Sequence, residues 1–166
     1  MYVVDRDRQI MLIREMTQLR KDPKSWEVYY HHPSTNNMWK SYFPRARGEE
    51  RGPKVMRVEP APEPLDVLVH RCLDSDSVDD AIGLGLELSV NPSRWASVME
   101  VLEQHWSKWA RGQLVTFLRC LGVEQHVSLF DEIDYDPSSD GLTDEHFEEL
   151  RRRARNLRWK RFLYPI

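Results

Sequence analysis

The sequence predicts an α+β fold in one domain, with a β-rich N-terminal part over residues 1–60 and a mainly α-helical part over 61–166. Three observations carry this. The first 45 residues hold short aromatic and β-branched runs with little helical spacing beyond Ile10 to Leu19. A charged, proline-rich stretch from Arg45 to Pro64 then interrupts any regular helix. Beyond it, apolar residues recur at the spacing of one helical face almost to the end of the chain.

In order, Trp26-Glu27-Val28-Tyr29-Tyr30 reads as a strand, Pro33-Ser34-Thr35-Asn36-Asn37 as a turn, and Met38-Trp39-Lys40-Ser41-Tyr42-Phe43 as a second strand, making a hairpin or meander. Pro53, Pro60, Pro62 and Pro64 mark 45–64 as an extended connector. Leu65, Leu68, Val69 and Cys72 share one helical face. A second helix is expected from Ser77, capped by that side chain with Asp80 three residues on, to about Val90. Asn91-Pro92 suits the start of a third, because Asn caps and Pro fits the first helical position. Trp95, Val98, Met99, Leu102 and Trp106 give it an apolar face. Leu114, Phe117, Leu118 and Leu121 repeat the pattern, and Gly122 is placed to close that helix in the left-handed conformation. A last helix opens at Thr143, has acids in its first turn, and is expected to end among Arg151, Arg152, Arg153 and Arg155, an order that complements the helix dipole. Its stripe is Phe147, Leu150, Ala154 and Leu157. The helices form an array open to stacking like HEAT repeats, although no exact sequence period recurs.

The composition, 40% hydrophobic and 10% aromatic over 166 residues, is enough to build a core. No stretch nears the roughly 18 apolar residues of a membrane helix, and charges enter at Asp5 and Arg6 without a signal-like apolar run. A cytoplasmic location is the expectation. Cys72 and Cys120 lie in helical segments and read as reduced core residues.

The net charge of −3 hides a strong segregation. Residues 1–60 carry 12 basic and 8 acidic groups, 61–150 carry 5 and 19, and 151–166 carry 7 and none. So acidic a body repels phosphate and attracts basic proteins, which makes nucleic acid an unlikely partner for it.

The usual catalytic patterns are missing: there is no phosphate-cradling glycine loop, CxxC pair, HExxH helix or GxSxG elbow. The reading is a non-enzymatic protein without cofactor or metal. Six histidines, at 31, 32, 70, 105, 126 and 146, leave a nuclease or hydrolase built around His with Asp or Glu as a competing possibility, but His31 and His32 on a strand would face opposite ways. Glu132, Asp134 and Asp136 imitate the start of a calcium loop, yet Pro137 stands where glycine is needed and Thr143 where the bidentate glutamate belongs. Trp26, Tyr29, Tyr30, Trp39, Tyr42 and Phe43 read as core aromatics before they read as a stacking platform. The basic run from Arg151 to Arg161 is open to nucleic-acid contact, against which stands pairing of its arginines with Asp131, Glu132, Asp134 and Asp136, with the acids that open its own helix, and with the helix C-terminus.

Between 131 and 149 there are nine acids and no Lys or Arg, a one-sided field suited to steering a basic protein. The order Trp26-x-x-Tyr29-Tyr30, Trp39-x-x-Tyr42-Phe43-Pro44, Gly52-Pro53 and Arg57-x-x-Pro60-x-Pro62, followed by Leu65 to Leu73, Ser75 and Asp79-Asp80, resembles immunity proteins of bacterial contact-dependent inhibition and other polymorphic toxin systems. The likeness runs from residue 26 to about 121 and carries no catalytic signature. It implies a cytoplasmic antidote that binds the C-terminal domain of a cognate secreted toxin, often covering a nuclease site. Because such families diverge at the contact surface, no binding residue carries over. Charge alone nominates Asp131, Glu132, Asp134, Asp136 and Asp140, in place of substrate phosphates, with Tyr135 as an aromatic anchor. The competing reading is a nucleic-acid-binding protein or enzyme that uses the basic C-terminal helix.

Overall fold

Alternation along the strands divides the N-terminal sheet into two faces with different tasks. A computed structural model describes residues 1–62 and 64–164. Its strands are β1 (Tyr2–Val3), β2 (Thr17–Asp22), β3 (Glu27–His32), β4 (Asn37–Tyr42) and β5 (Val55–Glu59), all antiparallel in the order β1-β5-β4-β3-β2, with helix α1 (Arg6–Arg14) between β1 and β2. The register sets Val28, Ser41, Met56 and Val3 in one row and Tyr29, Lys40, Arg57 and Tyr2 in the next. Rows one residue apart face opposite ways. On one face Val3, Tyr30 and Met56 pack with Leu12, Ile13 and Met16 of the α1 region. On the other, Tyr2, Tyr42 and Val55 join the core of the helices.

Three N-terminal expectations are corrected. Helix α1 stops at Arg14, and Thr17 to Leu19 are strand: ladder pairing with β3 overrides the weak helical spacing. Trp26 lies in the turn before β3 at φ +59°, with the Arg51 guanidinium 3.8 Å from its ring. The connector also contains β5, bounded by Pro53 and Pro60 and held on both sides by β1 and β4. That pairing joins residues 2–3 to 56–57, and no local pattern signals it.

The helical part comprises α2 (Leu65–Leu73), α3 (Val78–Ser89), α4 (Trp95–Gln104), α5 (Arg111–Leu121), α6 (His126–Ile133) and α7 (Asp144–Leu163). Helix α3 is buried on nearly every side because it is wedged between the sheet and α5. Two glycines permit this. A Cβ on Gly83 would come 2.5 Å from Cγ of Tyr2, and one on Gly85 would come 2.6 Å from Cβ of Cys120 and 2.9 Å from the Phe117 carbonyl oxygen. Helix α5 closes at Gly122 with φ +81°, as its position suggests. Helix α2 packs on α3 and α4, α3 on α5, and both α4 and α5 on α7. Like thus stacks on like in the first two pairs, whereas the eight-residue α6 and twenty-residue α7 break any repeat. Cys72 and Cys120 are free thiols, and burial pushes the Cys72 thiol up to about 12. Among the described residues no helix is long and apolar enough to cross a membrane.

Capping also departs from expectation in places. The Ser77 side chain makes no cap, and Asp80 turns away to accept the Tyr2 backbone N–H at 2.5 Å and the Met1 amine at 2.6 Å. Asp79 accepts the Val4 N–H at 3.1 Å and lies 3.1 Å from Arg8. These two buried carboxylates sew the β1 segment to α3, Asp80 by taking the Tyr2 N–H and Asp79 by taking that of Val4, with the Met1 amine and Arg8 supplying the opposite charge. Asn91 makes no side-chain cap, and Pro92 opens a short 3-10 turn ahead of α4. Thr143 does cap α7, accepting the His146 N–H. That helix continues to Leu163 rather than ending among the arginines, since buried Arg161 extends the stripe of Phe147, Leu150, Ala154 and Leu157.

Candidate protein-binding surface

The acidic segment forms an exposed edge that runs from the last turn of α6 through a short connection into the first turn of α7. Asp134 ends α6 in the left-handed conformation, φ +56°, which Asp adopts more readily than most residues, and the Tyr135 N–H closes on the Phe130 carbonyl at 3.0 Å. Asp136 then accepts both the Ser138 N–H at 2.9 Å and its hydroxyl at 2.7 Å, starting a 3-10 turn over Pro137–Asp140. Those two bonds hold the Asp136 carboxyl below its ordinary pKa. Gly141, at φ +68°, turns the chain into α7.

All six nominated residues lie on this edge, but not on equal terms. Tyr135 is half-buried against the Phe130 ring, centroids 4.9 Å apart, and its hydroxyl donates to Asp140 at 2.6 Å. Burial and that bond push its pKa up. It therefore positions Asp140 and presents only part of its ring outward. Glu132 and Asp134 are met by arginines from the β4–β5 connector. Arg45 donates through Nε to Ser89 Oγ at 2.9 Å and through Nη2 to the Cys120 carbonyl at 2.7 Å, leaving Nη1 3.7 Å from Glu132. Arg47 donates to the Asp131 carbonyl at 2.9 Å and lies 3.5 Å from Asp134. The sequence hides these latches because each arginine lies more than 80 positions from the acidic residues it meets. Among the described residues, exposed Asp131, Asp136, Asp140, Asp144 and Glu145 make no ion pair, so five carboxylates stand uncompensated along one edge.

Four arginines of α7 are paired, two with acids of the helix's own acidic first half and two with other elements rather than with the loop acids. Arg151 meets Glu148 at 2.8 Å, Arg152 meets Glu149, Arg153 grips Glu103 of α4 through two bonds of 2.9 and 2.8 Å, and Arg158 meets Glu124 at 2.6 Å. None reaches Asp131 to Asp136, because α7 carries its own acids one turn back and packs its basic half on α4 and α5. Apart from His70 and His105, the histidines lie on separate parts of the fold. His31 meets Asn36 at 2.9 Å, His32 is 3.4 Å from Glu15, His70 lies 3.2 Å from Asp74 with the His105 ring 4.6 Å away, and buried His126 stacks on Phe147. Among the described residues no three His, Cys, Asp or Glu side chains converge to hold a metal. No family model, curated protein or solved structure matches the chain.

A second polar cluster lines a cleft of about 350 Å³ between the sheet and α3. Glu87 accepts the Tyr2 hydroxyl at 3.0 Å, the Tyr42 hydroxyl, and Arg57 Nη1 at 2.5 Å. Arg57 also meets Glu59 at 2.6 Å, and Lys40 meets Glu27 at 3.3 Å. Each charge has its partner within the cluster, so the cluster joins sheet to helix without an open valence for a ligand. It has a consequence at alkaline pH. Burial first, then the Glu87 charge, keeps the phenols of Tyr2 and Tyr42 protonated well above the ordinary 10.0, whereas the unfolded chain ionises them near that value. Their contribution to stability is complete below that pH and is lost as pH rises above it, at up to about 2.7 kcal/mol per pH unit for two phenols. Urea unfolding followed from about pH 9 to 11 should show this fall, and the Y2F/Y42F double variant should flatten it. An equal slope in both proteins would assign the alkaline loss elsewhere.

Proposed function

We propose that the chain is an immunity protein, a cytoplasmic antidote that binds the basic C-terminal domain of a cognate secreted toxin, a nuclease, and neutralises it through the acidic edge at 131–145. The observation that carries this reading is the set of five exposed carboxylates without an intramolecular cation, Asp131, Asp136, Asp140, Asp144 and Glu145, joined by weakly held Glu132 and Asp134. A nuclease presents cations where phosphate binds, and carboxylates on an ordered edge compete for them. The resemblance of the 26–121 region to immunity proteins supports the same reading. The rival use of Arg151, Arg152 and Arg153 on nucleic acid is weakened by the carboxylate each already holds.

The test begins with affinity purification of the tagged protein from its native bacterium and mass spectrometry of what co-elutes. Recovery of a toxin C-terminal domain is expected. Replacing Asp131, Asp136 and Asp140 by lysine should weaken that complex at least about tenfold and reduce its dependence on salt. Asp134→Asn removes a further charge while keeping a residue that tolerates the left-handed conformation. A complex indifferent to these changes removes the acidic edge from the interface, and salt-sensitive recovery of nucleic acid alone would replace the antidote reading.

A further inference from the structure

The acidic edge is not the only surface built for a partner. At the far end of α7, about 20 Å along the helix from Glu145 at 1.5 Å per residue, a groove of about 400 Å³ opens between α5 and α7. Its apolar lining is Val115, Trp159 and Phe162, and its charged lining is Arg111, Arg155 and Arg158 with a single acid, Glu124, which Arg158 engages. Trp159, Phe162, Leu163 and Tyr164 are each more than half exposed, a concentration of large apolar surface that single-domain proteins seldom leave bare without use. The groove is preformed by its own contacts. Trp159 and Phe162 meet edge to face at 5.9 Å, the Arg111 guanidinium sits 4.9 Å from the Phe162 ring, and Arg158 is fixed by Glu124 at 2.6 Å. Among the described residues Arg111 and Arg155 make no ion pair, so the rim holds two uncompensated cations beside an apolar floor.

We propose that this groove is a second binding site, taking a short acidic peptide segment of a partner protein that lays an apolar side chain against Trp159 and Phe162 and sets its carboxylates against Arg155 and Arg111. Charge complementarity selects an acidic occupant, and the apolar floor selects a segment with an apolar anchor over a bare anion. A long polyanion is disfavoured. Its path along α7 would run into Asp144, Glu145, Glu148 and Glu149, and the arginines nearest them are already engaged by carboxylates. The site is independent of the acidic edge, which attracts partners of the opposite charge.

A phage-displayed library of random peptides selected on the full chain tests this. The expected result is a consensus combining Asp or Glu with a large apolar residue, whose synthetic peptide loses affinity at least about tenfold on Arg155→Glu and on Trp159→Ala. Both side chains are exposed, so the fold should survive, and an unchanged circular dichroism melt checks that it does. Enriched peptides that are basic and insensitive to both changes would overturn the proposal while leaving the acidic-edge reading intact. Displacement of the peptide by a single-stranded oligonucleotide that itself binds more tightly at physiological salt would overturn it in favour of nucleic acid.

Discussion

Truncating Trp95 to alanine is expected to cost about 4 kcal/mol, close to half the stability of an average domain. Trp95 is fully buried at the start of α4, its indole N–H donates to the Leu88 carbonyl at 2.9 Å, and its ring stacks on Phe130 of α6 at 5.8 Å and meets Phe147 of α7 edge-on at 6.0 Å. One side chain therefore ties the end of α3 to α4, α6 and α7. The loss combines transfer of a large aromatic surface, a cavity too well walled to collapse, and a carbonyl left without its donor. Trp95→Phe, which keeps a ring but not the N–H, should lose roughly half as much. Chemical denaturation gives both values, and a loss below about 1.5 kcal/mol for the alanine variant would show that the site repacks. Because Phe130 also supports Tyr135, the same change should loosen the acidic edge ahead of the sheet, visible as early proteolysis near residues 131–140.

The legible parts of this fold were those in which a local pattern and the tertiary contacts agree. The stripes of Trp95, Val98, Met99 and Leu102 and of Leu114, Phe117, Leu118 and Leu121 face the core as their spacing requires, and Gly122 and Thr143 take the cap roles that their chemistry suits. Where distant partners decide, the local pattern misleads. Asp80 reads as a capping residue because Ser77 stands three positions before it, yet the Tyr2 N–H and the Met1 amine take that carboxylate. Val55 to Glu59 reads as connector because prolines surround it, yet β1 and β4 each need a neighbour. The acidic edge itself was visible as charge, but its partial neutralisation by Arg45 and Arg47 and the packing of Tyr135 on Phe130 depend on how the connector and α6 meet in space. The groove beside Trp159 was hidden for a related reason. An arginine-rich tail looks uniform in sequence, and only the folded helix separates the arginines that hold carboxylates from those that do not.

Replacing Glu87 by methionine should destabilise the protein by about 2–4 kcal/mol, and the cause is electrostatic more than steric. Its two oxygens serve Tyr2, Tyr42 and Arg57 together, at the seam where the sheet meets α3. Removing the carboxylate strands a guanidinium that is only 12% exposed with Glu59 as its remaining anion, and takes the acceptor from two buried phenols. Removing both charges is a different perturbation, because two apolar side chains of similar length can fill the cleft while Glu59 keeps Lys40, 4.0 Å away, as its cation. The double variant R57M/E87M should therefore recover much of what E87M loses, giving a coupling of about 1–3 kcal/mol in a double-mutant cycle. Strict additivity would mean that Arg57 and Glu87 stabilise the seam independently, and that the hydroxyls rather than the ion pair hold the sheet to the helices. The cycle thus separates the two kinds of bond that converge on one side chain.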